Sequence, residues 1–123
     1  MLATFAMIVC ASLSVVDGDT IKCDGQNMRL LGEGVVNVRG IDTPELGRGA
    51  KCNKELKRGH MAKSRLEALI VDKEIRIEAK GTDRYGRPLV NLYLPNGSEA
   101  GQQLLREGFA REWRKGRRID WCL

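Results

Sequence analysis

The chain has 123 residues, of which 42% are hydrophobic and 30% charged, the size and composition of one globular domain with a single core. No apolar run reaches the roughly 18 residues that a membrane span needs, so no span is expected. The 21 Lys and Arg against 16 Asp and Glu give a net charge of +5, which favours polyanions electrostatically but specifies no chemistry.

Thr4 to Val16 is rich in β-branched and apolar residues and predicts a first strand, ended by the turn formers Asp17-Gly18-Asp19. The overlapping stretch Met1 to Leu13 is apolar enough for part of a signal peptide but lacks a basic n-region. Residues 1–14 thus read as a signal-like segment or as the first strand, and a secreted or periplasmic location is slightly favoured over a cytoplasmic one. Ile21 to Cys23 and Met28 to Leu31 flank Asp24-Gly25-Gln26-Asn27, the signal of a tight hairpin. After Gly32-Glu33-Gly34, the residues Val35, Val36 and Val38 resume extended structure up to Ile41.

Leu56, Met61, Ala62, Leu66, Leu69 and Ile70 recur near helical spacing and predict the main helix over Asn53 to Ile70. Gly59 interrupts that pattern at a cost of about 1 kcal/mol relative to Ala. Glu74 to Ala79 and Leu89 to Leu94 predict a second hairpin, joined across Gly81 and Gly86. Ser98 is expected to cap a short helix with Leu104 and Leu105 facing inward and Gly108 at its left-handed end. Residues 111–123 read as a basic, mostly solvated tail, with Trp113 among its cations and Cys122 available to tether it.

Three strands, a helix, two strands and a short helix define a mainly β chain of the α+β class. That order matches the OB-fold, a five-stranded barrel with the main helix between strands 3 and 4 and the short helix after strand 5, in a single domain over 1–123. Such barrels commonly bind oligonucleotides, yet a fold by itself does not establish a function. Cys10, Cys23, Cys52 and Cys122 contain no CxxC pair, which argues against a four-thiolate zinc site and leaves two disulfides, one or none open.

Two acidic motifs follow strands: Asp17-Gly18-Asp19-Thr20 and Asp42-Thr43-Pro44-Glu45. A hard cation such as Ca²⁺ takes oxygen ligands, which Asp19, Asp42 and the Thr43 carbonyl can supply while leaving positions for water and a substrate phosphate. Glu45 can abstract a proton from an attacking water or orient it. Arg87, held extended by Pro88, can grip a phosphate bidentately and counter the charge of the transition state. His60, alone of its kind and inside the main helix, reads as a surface residue.

In order along the chain, VVDGDT at 15–20, GIDTPE at 40–45, DRYGRPL at 83–89 and LLREGFA at 104–110 resemble the staphylococcal nuclease, or thermonuclease, family. The resemblance implies a Ca²⁺-dependent endonuclease that hydrolyses phosphodiester bonds of DNA, RNA or both by attack of water. It implies Asp19 and Asp42 as metal carboxylates, Thr43 as carbonyl ligand, Glu45 beside the water and Arg87 on the phosphate. Arg84 and Tyr85 would border the nucleotide. A monomer acting on single-stranded nucleic acid is expected; a non-catalytic OB-fold module binding nucleic acid or protein is the alternative.

One departure matters. The family's other catalytic arginine lies five residues before the aspartate matched by Asp42, and that position is Asn37. Deleting Glu33 to Gly40 would restore the pattern, so an insertion leaving Arg29 as the second arginine is the preferred reading. Arg39, on the same strand face as position 37, is the rival.

Overall fold

The computed structural model describes residues 6–123; the start of the signal-like segment and of the expected first strand lies outside the described residues. The elements in chain order are β1 (Ala6–Ile8), β2 (Leu13–Asp17), β3 (Thr20–Cys23), β4 (Gln26–Leu30), β5 (Arg39–Asp42), α1 (Asn53–Ile70), β6 (Arg76–Thr82), β7 (Pro88–Tyr93), α2 (Ala100–Arg106) and β8 (Arg111–Arg114). Six strands form one sheet in the order β1-β6-β7-β4-β3-β2, and β5 pairs with β8 in a separate ribbon. The fold is mainly β with two helices, as the OB-fold reading requires at the level of class.

The expected first strand is split. Its halves, β1 and β2, form opposite edges of the six-stranded sheet, so the sheet's ends are joined by residues 9–12 of the chain rather than by a hydrogen-bonded ladder. The expected five-stranded closed barrel is accordingly an open sheet of six strands. The break is pinned in place: Cys10 is disulfide-bonded to Cys23, and the Asp24 carboxylate accepts the backbone N–H groups of Ala11 and Ser12 at 3.2 and 2.7 Å.

Helix α1 spans the residues its periodicity predicts, with Ala62, Leu66, Leu69 and Ile70 buried against the sheet. Met61 is instead 58% exposed, since its neighbour Ala62 takes the inward direction at that turn. The core joins these residues to Ile21 and Leu30 of β3 and β4, Ile41 of β5, Val90 and Leu92 of β7 and Leu104 of α2. Full burial of each such aliphatic side chain stabilises the fold by roughly 1.5–3 kcal/mol.

Helix α2 is capped by Glu99 rather than Ser98. The buried Glu99 carboxylate accepts the N–H of Gln102 and that of Leu92, closing the helix end and fastening it to β7 with one side chain. Gly108 does adopt the left-handed conformation, at φ 82°.

Residues 111–123 depart most from expectation. β5 would otherwise be an unpaired edge, and β8 completes it in antiparallel register, with Arg114 opposite Arg39 and Arg111 opposite Asp42. Farther on, Trp121 is buried and Cys122 is disulfide-bonded to Cys52, the residue that caps α1. The segment is docked through β8 and Trp121–Cys122, while most of its residues, Arg114 to Arg118 among them, are exposed as expected.

Candidate active site

Neighbouring strands bring the acidic motifs to one rim. Asp19 lies in the turn from β2 into β3, and Thr20 pairs with Arg29 of β4. Asp42 ends β5, and Thr43 donates its backbone N–H to Asp19 Oδ2 at 3.2 Å, tying the two motifs together. Two glycines make this approach possible. A Cβ on Gly18 would stand 2.7 Å from Ala62 Cβ and 2.8 Å from Thr43 Oγ1, and one on Gly59 would stand 2.7 Å from the Glu45 carbonyl oxygen. The helix glycine that propensity penalises is therefore the surface on which the Pro44-Glu45 segment rests.

Arg29 occupies the centre. Its Nη2 lies 3.3 Å from Asp19 Oδ2 and 3.5 Å from Asp42 Oδ1, and it donates to the Ile41 carbonyl at 3.3 Å. Arg39, the rival, begins β5 opposite Arg114 and makes no ion pair with these acids among the described residues. The segment around Asn37 is a tight reversal, with Asn37 at φ 63° and Val35 bridged to Arg39, so position 37 belongs to a turn.

Two carboxylates pair with this guanidinium, and two more, Asp17 and Glu45, act on it electrostatically. Burial, then the neighbouring Asp19, pushes Asp17 up to about 7. Burial also raises Asp42, against the opposing hydrogen bond from Trp121, and raises Glu45, to which Asp19 and Asp42 add their repulsion. For Arg29 burial acts to lower the pKa, but Asp19, Asp42, Asp17 and Glu45 outweigh it and hold the guanidinium charged. The centre thus carries more negative potential than Arg29 alone balances.

This donor set fits a hard divalent cation. Its carboxylates are oxygen donors, and those of Asp19 and Asp42 converge on one cationic group, Arg29 Nη2. The buried Thr43 Oγ1 has no hydrogen-bond partner among the described residues, an orphan of the kind that an ordered water satisfies. Among the described residues, no three His, Cys, Asp or Glu side chains are grouped to enclose a metal unaided. Other positions would fall to backbone oxygen, water or a phosphate.

A cleft of about 860 Å³ lies between the main sheet and the β5–β8 ribbon; Arg29 and Ile41 line it, whereas Asp17, Asp19, Asp42 and Glu45 do not. Parallel pairing of β4 with β7 sets Arg29 opposite Leu89, so Arg87, just before β7, stands at the same end of the sheet and lines the same cleft. Arg87 donates from Nε to Asp83 Oδ2 at 2.7 Å, leaving its terminal nitrogens outside that pair. Arg84 and the exposed Tyr85 also line the cleft, joined by a 2.8 Å hydrogen bond. Across from them stand Arg39, Trp113 and Lys115. His60 is exposed on α1, away from this cleft.

Three residues escape sequence reasoning. Asp17, passed over as a turn former, adds a fourth carboxyl. Glu55, buried in the first turn of α1, accepts the Glu45 backbone N–H at 3.1 Å and that of Lys51 at 2.9 Å, fixing the approach of Glu45. Trp121 donates its indole N–H to Asp42 Oδ2 at 3.0 Å from 79 residues away. First-turn acidity offered a signal for Glu55; nothing local pointed to Trp121.

A mainly β fold thus carries an acidic rim paired with Arg29, next to a cleft that Arg29 and Arg87 both line. The chain belongs to the staphylococcal nuclease homologue family, whose model matches residues 35–120. It is 28% identical over 103 residues to the succinoglycan biosynthesis protein ExoI of Rhizobium meliloti, covering 83% of this chain and 51% of that one. It is 27% identical to uncharacterized endonucleases of Escherichia coli O157:H7, over 84% of this chain and 63% of the relative, and of Haemophilus influenzae, over 82% and 50%. The chain therefore spans between half and two thirds of the length of these relatives. No helix among the described residues is long and apolar enough to cross a membrane.

Proposed function

We propose that this domain is a Ca²⁺-dependent nuclease that hydrolyses phosphodiester bonds of single-stranded DNA or RNA. The observation that carries the reading is the pairing of Arg29 with both Asp19 and Asp42 at the margin of a cleft that also holds Arg39, Arg84, Arg87 and Lys115. A surface that only bound nucleic acid would gain nothing from acids that repel the phosphate backbone, whereas hydrolysis needs them.

Calcium, when bound by Asp19, Asp42 and the Thr43 carbonyl, supplies Lewis acidity and neutralises phosphate charge. Glu45 takes the proton of the attacking water or orients it. Arg29 and Arg87 donate to the phosphoryl oxygens as negative charge builds on them. Arg84 and Tyr85 border the nucleotide, and the aromatic rings of Tyr85 and Trp113 suit the stacking of unpaired bases.

The test is cleavage of single-stranded DNA and RNA by purified protein in Ca²⁺ or chelator, with Glu45→Ala, Arg29→Ala and Arg39→Ala compared. Loss of one preorganised donor lowers the rate by roughly 10² to 10³, so Arg29→Ala should fall that far and Arg39→Ala much less. Cleavage that survives chelation or Glu45→Ala would overturn the reading; an Arg29→Ala variant that cleaves at the wild-type rate would overturn the arginine assignment.

A further inference from the structure

We infer that Trp121 is a positioning residue for the metal carboxylate Asp42, held at its post by the Cys52–Cys122 disulfide; this rests on the proposed cation role of Asp42. The two oxygens of Asp42 have different partners. Oδ1 faces Arg29 at 3.5 Å, in the direction of Asp19, while Oδ2 accepts the indole N–H at 3.0 Å. A carboxylate turned about its Cα–Cβ and Cβ–Cγ bonds could offer either oxygen in many directions. The indole, which donates and cannot accept, engages one oxygen and fixes the other toward the centre of the site.

The donor itself is anchored from several sides. The guanidinium of Arg111 lies over the Trp121 ring at 4.5 Å, and Arg58 of α1 donates to the Trp121 carbonyl at 3.3 Å. The next residue, Cys122, is bonded to Cys52 at the N-terminus of α1, and Lys54 donates to the Leu123 carbonyl at 2.8 Å. Trp121 itself is only 4% exposed. A hydrophobic anchor alone would not require its N–H to meet the one acid that ends β5. Partners that orient ligating side chains typically set metal affinity by 10- to 100-fold, and Asp42 has such a partner here.

Trp121→Phe keeps an aromatic ring under Arg111 and removes the donor. Calorimetric titration with CaCl₂ should show affinity weakened by roughly 10- to 100-fold. The melting temperature in chelator should change little, while the upward shift on adding CaCl₂ should shrink. In the cleavage assay the Ca²⁺ titration should move to higher concentration by more than the maximal rate falls. Should Trp121→Phe fold poorly, the Cys52→Ser/Cys122→Ser pair, which keeps the indole and frees its tether, should also weaken Ca²⁺ binding. Wild-type protein that binds Ca²⁺ with the same affinity as a folded Trp121→Phe overturns the positioning role alone. Wild-type protein that binds no Ca²⁺ overturns the metal reading and this inference with it.

Discussion

Gly59→Ala sets local preference against tertiary fit within one residue. In an isolated helix the change stabilises by about 1 kcal/mol, because alanine loses less backbone entropy and is the better helix former. In the fold, the new Cβ would lie 2.7 Å from the Glu45 carbonyl oxygen, 2.9 Å from Leu46 Cδ2 and 3.0 Å from the Pro44 carbonyl oxygen. Two of those three atoms are backbone, so the segment carrying Glu45 must lift by several tenths of an ångström. Overpacking of this kind costs roughly 1–3 kcal/mol, which offsets the propensity gain and leaves the variant destabilised by up to about 2 kcal/mol. For a domain of this size that lowers the melting temperature by up to about 8 °C. Displacement also strains the 3.1 Å hydrogen bond from the Glu45 N–H to Glu55, so cleavage should fall with stability. Thermal denaturation followed by circular dichroism, paired with the cleavage assay, measures both. A melting temperature that rises with activity intact would refute the reasoning.

Replacing both Cys52 and Cys122 by serine opens a cross-link of sequence separation 70, against 13 for Cys10 and Cys23. Chain entropy predicts losses of about 4 and about 3 kcal/mol respectively, read from urea midpoints, while serine at 52 can still cap α1. An unchanged midpoint for the 52–122 pair would contradict the docked state of the last residues. Glu107 is held down to about 2 by its hydrogen bond and ion pair with Arg65, at 2.6 and 2.9 Å, and by Gln103. The unfolded chain therefore binds the extra proton between about pH 4.5 and 2. The contribution of Glu107 is present above that window and is lost as pH falls through it. The stability difference between wild type and Glu107→Gln should grow from pH 2 to 5 and then level off, and it should shrink in high salt because the pair is partly exposed. A difference independent of pH would exclude this linkage.

The sequence by itself determined what short-range chemistry encodes. Helix α1 follows from apolar residues repeating at helical spacing over Asn53–Ile70, and the β3–β4 hairpin from Asp24-Gly25 between alternating strands. The acids of the candidate site sit in motifs of six residues each, and the family that the ordered motifs resemble is the one whose model matches residues 35–120, a span that contains GIDTPE but not VVDGDT.

Tertiary structure decided what depends on contacts distant in sequence. The reversal through Asn37 gives Arg39 to a ribbon with β8 and leaves Arg29 between Asp19 and Asp42, a placement that supports the proposal of Arg29 over Arg39. The strand break at 9–12, the capping of α2 by Glu99 and the tolerance of Gly59 depend likewise on partners remote in the chain. The last residues are the extreme case. Their composition is that of a solvated tail, and they are ordered because β5 offers an unpaired edge, Cys52 a thiol and Asp42 an oxygen, none of which is adjacent to them in sequence. Local pattern specifies how a segment can fold, but the free energy that docks it belongs to surfaces assembled only when the chain closes.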